Sequence, residues 1–198
     1  MAVLTFGPNA EATLTAQCGT TTGAYEMLSC GFDEDGKHGY PTLSWTENVT
    51  GSGSLGMEIH VQYTGATDLP DSYLLIALDK TVVNQTGIAW TGIDLQVSNS
   101  SPLLAWDMTH QPIDTQGYFS LGAYTAQGLW WDGWLPDGGT AELWAAVALP
   151  TVWDAQDNYW EGHFYLEQIP KSVAEPGTLG LLGAGLLGLG FLRRRQAA

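Results

Sequence analysis

The stretch Leu55-Gly56-Met57-Glu58-Ile59-His60-Val61-Gln62-Tyr63 places an apolar residue at every odd position and a polar residue or glycine at every even one. Successive side chains of an extended chain point to opposite faces, so this alternation dictates a strand with one buried and one wet face. Ile93, Leu95 and Val97 alternate in the same way with Asp94, Gln96 and Ser98. Leu143, Ala145, Val147 and Leu149 mark another strand, ended by Pro150, and Phe164 and Leu166 a last one closing before Pro170. Ala12–Ala16, Thr42–Thr50 and Tyr73–Val83 are earlier candidates. Between them lie turn clusters: Gly51-Ser52-Gly53-Ser54, Leu69-Pro70-Asp71, Asn99-Ser100-Ser101-Pro102 and Pro136-Asp137-Gly138-Gly139. No window before residue 170 sustains a helical period. Short strands with regular turn signals predict an all-β fold, an antiparallel β-sandwich or jelly-roll-like domain over residues 1–170.

A hydrophobic content of 44% and nine tryptophans supply enough apolar surface for a packed core, which excludes a disordered acidic chain. Charge is divided unevenly. Before Lys171 only Lys37 and Lys80 are basic, against twenty carboxylates, a net of −18; from Lys171 onward four basic residues face Glu175 alone, a net of +3. So acidic a body repels phosphate backbones, which excludes nucleic acid as a partner.

The tail, residues 171–198, has its own logic. Thr178–Leu192 carries no charge over 15 residues. As a helix it would extend about 22 Å, against the ~30 Å of hydrocarbon in a bilayer. Flanking arginines can snorkel and the bilayer can thin to close that gap. Gly180, Gly183, Gly185, Gly188 and Gly190 make the run a poor helix in water, but lipid forces backbone groups to pair within the segment. The expectation is a short C-terminal hydrophobic helix. Arg193, Arg194 and Arg195 then form a membrane stop that keeps the C-terminus cytoplasmic and the acidic body outside.

The order Ala174-Glu175-Pro176, Thr178-Leu179, a Gly/Leu-rich run and Arg193-Arg194-Arg195 resembles the C-terminal sorting signal of PEP-CTERM proteins. That signal combines a Pro-Glu-Pro-like motif, a short hydrophobic span and a basic cluster; Ala174 stands where the first proline is usual. The resemblance implies recognition by an exosortase, cleavage near Glu175-Pro176, and delivery to the cell surface or the extracellular polysaccharide matrix. Export needs an N-terminal signal peptide, and the segment from Met1 to Gly19 has neither a basic start nor an apolar run of adequate length, so an upstream start is expected. In an exported protein Cys18 and Cys30 are expected to form a disulfide, the alternative being two buried thiols. Within Val82–Val97, Asn84-Gln85-Thr86-Gly87 supplies turn chemistry and Trp90 opens the next strand. This stretch resembles an Asn-x-Thr-Gly-x-x-Trp pattern of PEP-CTERM ectodomains, which implies a β-rich domain but no activity.

Candidate chemistry is sparse. Gly31–Gly39 places Asp33, Asp35 and Gly36 at the third, fifth and sixth places of an EF-hand loop, but Gly31 and Thr42 stand where the first and twelfth ligands belong. A polar turn is the default there, and a calcium site of another kind the alternative. Trp130, Trp131, Trp134, Trp144, Trp153 and Trp160 serve either as core or as a stacking face for sugars. Core is the default for the cluster; were a sugar-stacking face present, Trp131 and Trp134, in Trp-Trp-Asp-Gly-Trp-Leu-Pro-Asp-Gly-Gly, would be its exposed pair and glycan contacts. Glycoside hydrolysis requires two opposed carboxylates, and Asp107, Asp132, Asp154 and Glu161 show no pattern that singles out two. His38, His60, His110 and His163 lack zinc spacing. The sequons at Asn48, Asn84 and Asn99 are read as surface turns. The leading expectation is a non-enzymatic surface or matrix protein with no cofactor and no resident metal. A carbohydrate-binding module holding exopolysaccharide, or a glycan-active enzyme, are the alternatives.

Overall fold

The computed structural model describes residues 13–36, 39–64, 73–99, 103–109, 112–114, 116–150 and 159–172. Twelve strands appear among them: β1 (Thr13–Thr22), β2 (Tyr25–Asp33), β3 (Thr42–Val49), β4 (Leu55–Thr64), β5 (Tyr73–Asn84), β6 (Trp90–Ser98), β7 (Ala105–Asp107), β8 (Ile113–Asp114), β9 (Phe119–Tyr124), β10 (Gly128–Leu135), β11 (Thr140–Pro150) and β12 (Tyr159–Ser172). They form two six-stranded sheets. The first runs β1-β4-β12-β6-β10-β9; the second runs β2-β3-β5-β11-β7, with β8 also pairing β11.

The alternating residues sit as the period requires. Leu55, Met57, Ile59, Val61 and Tyr63 of β4 are all buried, and so are Ile93, Leu95 and Val97 of β6. From the second sheet Leu43, Trp45 and Val49 of β3, and Leu74, Ile76, Leu78 and Val82 of β5, join the same core cluster. Each fully buried aliphatic side chain contributes about 1.5–3 kcal/mol relative to exposure. Two faces of this composition have to close on each other, and they do.

Two expectations need correction. The fold is all-β, but β3 and β5 pair in parallel, Thr42 against Ala77 through Val49 against Asn84, so the second sheet is mixed. The chain crosses to the first sheet as β4 between β3 and β5, and the return makes the parallel pair possible without a helix. The last strand does not close before Pro170: β12 continues to Ser172, with Pro170 opposite Ile93 and Lys171 opposite Gly92. Strand β2 escaped the alternation test because it is an edge strand with no row of buried side chains. The expected C-terminal helix, Thr178–Leu192, lies outside the described residues.

Candidate functional site

Three constructions on this fold carry chemistry or constrain it. The first is the route into the tail. Strand β12 lies inside the first sheet, paired antiparallel with β4 on one side and β6 on the other. Gln168 faces Leu55, the first residue of β4, and Ser172 faces Trp90, the first residue of β6. The Lys171 ammonium sits 2.7 Å from the Asp94 carboxylate, and the Thr91 hydroxyl donates to the Lys171 carbonyl at 3.5 Å. The chain is thus held to the end of β12. Ala174, Glu175, Pro176 and Arg193–Arg195 lie outside the described residues.

At the same end of the sandwich stands the second construction, built from Asn84, Thr86, Gly87 and Trp90. Asn84 closes β5 and is fully buried. Its Nδ2 donates to the carbonyls of Ile88 (2.8 Å), Leu135 (3.2 Å) and Pro136 (3.2 Å). Its Oδ1 accepts from the Thr86 amide (3.1 Å) and hydroxyl (2.7 Å). The Trp90 indole donates to the Thr86 hydroxyl at 3.1 Å. Gly87 turns the chain at φ 80°, where a side chain is disfavoured, and its amide donates to Asp137 at 2.9 Å. Each residue of the Asn-x-Thr-Gly-x-x-Trp pattern therefore has a structural task. Together they tie the β5–β6 turn to the β10–β11 turn. The sequon reading is corrected accordingly. Asn84 is inside the protein, and Asn48 lies within β3 rather than in a turn.

The disulfide Cys18–Cys30 is formed, with the two Cα atoms 6.3 Å apart. Cys18 is on β1 and Cys30 on β2, the outermost strands of the two sheets on one side. The bond therefore clamps the sheets together where the sandwich would otherwise open.

The third construction was not anticipated. Glu47 of β3 and Lys80 of β5 are each 3% exposed, and their side chains meet at 2.8 Å between the sheets. Trp45 donates its indole N–H to Glu47 Oε2 at 3.0 Å, and the Lys80 ammonium lies 5.6 Å from the Trp45 ring centre. From the opposite sheet, Gln168 of β12, 2% exposed, donates Nε2 to Glu47 Oε1 at 2.9 Å. Gln168 Oε1 is buried with no hydrogen-bond partner among the described residues. Burial pushes the Lys80 ammonium below the usual lysine range, and the Glu47 carboxylate pulls it partly back. Close by, burial and the Glu47 charge push the Tyr25 phenol up, while its hydroxyl donates to the Gly56 carbonyl at 3.0 Å. A signal for this cluster exists in the sequence. Glu47 has the parity of Leu43, Trp45 and Val49, and Lys80 that of Leu78 and Val82, so two opposite charges fall on inward positions.

The remaining candidates are dispersed. Trp131 is 1% exposed and packs in the core with Leu129, which overturns the expectation that it faces solvent. Leu129, Trp131 and Leu135 share the inward parity of β10, and Trp130, Asp132 and Trp134 the outward one. Trp134 is 59% exposed, and its amide donates to the carbonyl of Tyr118, itself 38% exposed, across the β9–β10 edge. Trp144 is buried on the outer face of the second sheet with Ala77, Ala146 and Tyr40. Trp153, Asp154, His38 and His110, and the side chain of Trp160, lie outside the described residues. Asp107 is on β7 of one sheet, whereas Asp132 and Glu161 are on β10 and β12 of the other. His60 and His163 face each other across β4 and β12, ring centres 6.1 Å apart, with His60 3.3 Å from Glu58. In the Gly31–Gly39 loop the Asp33 carboxylate accepts from the Asp35 amide at 3.1 Å. Among the described residues no group of three or more His, Cys, Asp or Glu side chains is arranged to hold a metal ion.

Residues 172–195 match the family model of the PEP-CTERM protein-sorting motif. Comparison with curated proteins and with solved structures gives no match for this chain. The matched segment begins at Ser172, the final residue of β12.

Proposed function

We propose, from the premise that this chain is a PEP-CTERM sorting domain-containing protein, that it is a non-enzymatic surface or matrix protein whose body is carried to its destination by its tail. In this reading the precursor is held in the membrane by Thr178–Leu192 with Arg193–Arg195 inside. An exosortase cuts near Glu175-Pro176, and the acidic domain joins the cell surface or the extracellular matrix. The observation that carries it is the abutment of the sorting motif on the last strand of a two-sheet domain. A disulfide between edge strands supports residence in an oxidising compartment. Removal of the tail would also remove three arginines and leave the body strongly negative.

The test is fractionation of an exosortase-containing host expressing the chain behind a functional N-terminal signal. Each arginine drawn to the bilayer centre costs about 2.5–3.5 kcal/mol, so neutral replacements at Arg193–Arg195 should release the chain or scramble its orientation. Glu175→Ala with Pro176→Ala should leave it anchored and uncut. Maturation of that double variant at the wild-type level would refute the assignment.

A second reading is favoured by one observation, the exposed Trp134 beside Tyr118 at a sheet edge. Aromatic rings stack on the apolar faces of sugars, and the adjacent Asp132 supplies an acceptor for hydroxyls. A body of net −18 repels polyanions, so the ligand would be a neutral or amine-bearing polysaccharide. Loss of matrix pull-down in Trp134→Ala supports this reading; equal retention of the variant and the wild type dismisses it.

A further inference from the structure

The buried Glu47–Lys80–Gln168 cluster is unusual on energetic grounds. A buried ion pair seldom recovers the full cost of removing two charges from water. A buried carbonyl oxygen without a donor, as at Gln168 Oε1, adds the desolvation penalty of an unsatisfied polar atom. Both features sit at one point, and a reaction between the groups present would relieve both.

We propose that Lys80 and Gln168 form an intramolecular isopeptide cross-link between the two sheets, with Glu47 as the proton carrier. The geometry assembles the parts. Glu47 Oε1 is shared by the Lys80 nitrogen at 2.8 Å and Gln168 Nε2 at 2.9 Å, so attacking and leaving nitrogens meet at one acceptor atom. The Trp45 indole holds the other carboxylate oxygen at 3.0 Å, which keeps Oε1 turned toward both. Low-dielectric surroundings favour transfer of a proton from the ammonium to the carboxylate, leaving an amine and a carboxylic acid. The depressed proton affinity of Lys80 is in keeping with that.

The step then balances without any added reagent. The Lys80 Nζ lone pair attacks Gln168 Cδ, forming the new C–N bond. Glu47 takes the surplus proton from Nζ and delivers one to Nε2. The Cδ–Nε2 bond breaks with its electron pair going to nitrogen, and ammonia leaves. Glu47 ends protonated, able to donate to the Gln168 carbonyl oxygen that previously lacked a partner. The product joins β5 of the second sheet to β12 of the first, on the strand that leads directly into the sorting segment. It does not depend on the sorting reading and stands or falls separately.

Mass spectrometry of the full chain, folded, then reduced and digested with trypsin, decides the matter. Through residue 171 trypsin has only Lys37, Lys80 and Lys171 to cut after. The expected result is protection of Lys80 and a single 38–171 peptide lighter than its sequence by one ammonia molecule. A second protease should release the Lys80 and Gln168 peptides as one joined species. Glu47→Gln keeps the side-chain shape but cannot carry the proton, and should restore cleavage at Lys80 and the full mass. Lys80→Arg should also have the full mass. If either variant fails to fold, the wild-type mass alone suffices. Cleavage at Lys80 with the full mass in the folded wild type overturns the proposal. So does an ammonia loss mapped to any other pair, or a link that persists in folded Glu47→Gln.

Discussion

Asn84→Asp changes one atom's chemistry and almost nothing in volume, so it isolates the polar part of the turn-to-turn tie. In the native side chain the two Nδ2 hydrogens serve three carbonyl oxygens, those of Ile88, Leu135 and Pro136, one hydrogen being shared between two of them, from a position with no solvent exposure. An aspartate places an oxygen there. Protonated, it donates once and leaves two carbonyls unserved, a loss of about 2–3 kcal/mol at ~1 kcal/mol per bond plus desolvation. Ionised, it faces three carbonyl dipoles in a buried site, so the folded state holds its proton and its pKa rises above the ordinary value of about 3.9. The sign follows from linkage. With the folded pKa raised, the unfolded state binds fewer protons above about pH 4, and stability falls as pH increases, by up to ~1.4 kcal/mol per unit until the folded pKa is reached. Asn84→Ala leaves all three carbonyls unserved but has no proton to lose, so its deficit should change little with pH relative to wild type. Urea unfolding of wild type and both variants between pH 4 and pH 8 measures this. Parallel pH profiles for Asp and Ala would refute the account of Asn84 as a buried three-way donor.

Other perturbations test other parts of the fold. Replacing Cys18 and Cys30 by serine, or reducing the bond, should cost about 2–3 kcal/mol in chemical denaturation, because the bond closes a short loop across two edge strands. Trp131→Ala should lose about 3–5 kcal/mol, whereas Trp134→Ala should remain within about 0.5 kcal/mol of wild type, since only the first is in the core. Equal losses would contradict the parity of β10. Gly133→Ala should detach β9, because a Cβ there would meet the Tyr118 carbonyl oxygen and the Phe119 backbone; increased amide exchange over Phe119–Tyr124 is the readout. Tyr25 titrates late in the folded state, so its share of stability is present below about pH 10 and lost as pH rises past that value. Tyr25→Phe should flatten that alkaline decline.

Much of the fold was legible because one face of most strands is buried. Leu55–Tyr63 and Ile93–Val97 announced β4 and β6 directly, for burial demands alternation and alternation is visible. Strand β2 was not legible: its side chains are mostly exposed, so Tyr25–Asp33 had no apolar row to reveal it. The parallel β3–β5 pair was hidden for another reason, since pairing across a crossover depends on contacts that no local window contains. Strand β10 could have been found. The glycine and proline beside Trp131 and Trp134 suggested exposure for both, yet Leu129, Trp131 and Leu135 already shared one parity against Asp132 and Trp134. Glu47 and Lys80 are charged residues of a kind that ordinarily lies at the surface, although their parity put both inside.

Where the tail leaves the domain bears on what the domain must withstand. A chain anchored through residues beyond Ser172 transmits any pull into β12, which lies between β4 and β6 and is bonded along both edges. Force along such a strand loads two ladders in shear, so many hydrogen bonds must fail together rather than one at a time. An edge strand would have offered only one ladder. The Lys171–Asp94 ion pair and the Trp90–Thr86–Asn84 hydrogen-bond chain stand at this loaded end. The disulfide, by contrast, clamps β1 to β2, so it guards the sandwich against opening and not β12 against withdrawal. A link from Gln168 to Lys80 would close that remaining route, by joining the loaded strand covalently to the opposite sheet. Single-molecule pulling through the C-terminus separates these contributions. Cleaving the disulfide should leave the force for extracting β12 nearly unchanged, and Glu47→Gln should lower it. The reverse order would mean that resistance is set by sheet opening and that the central place of β12 carries no mechanical consequence.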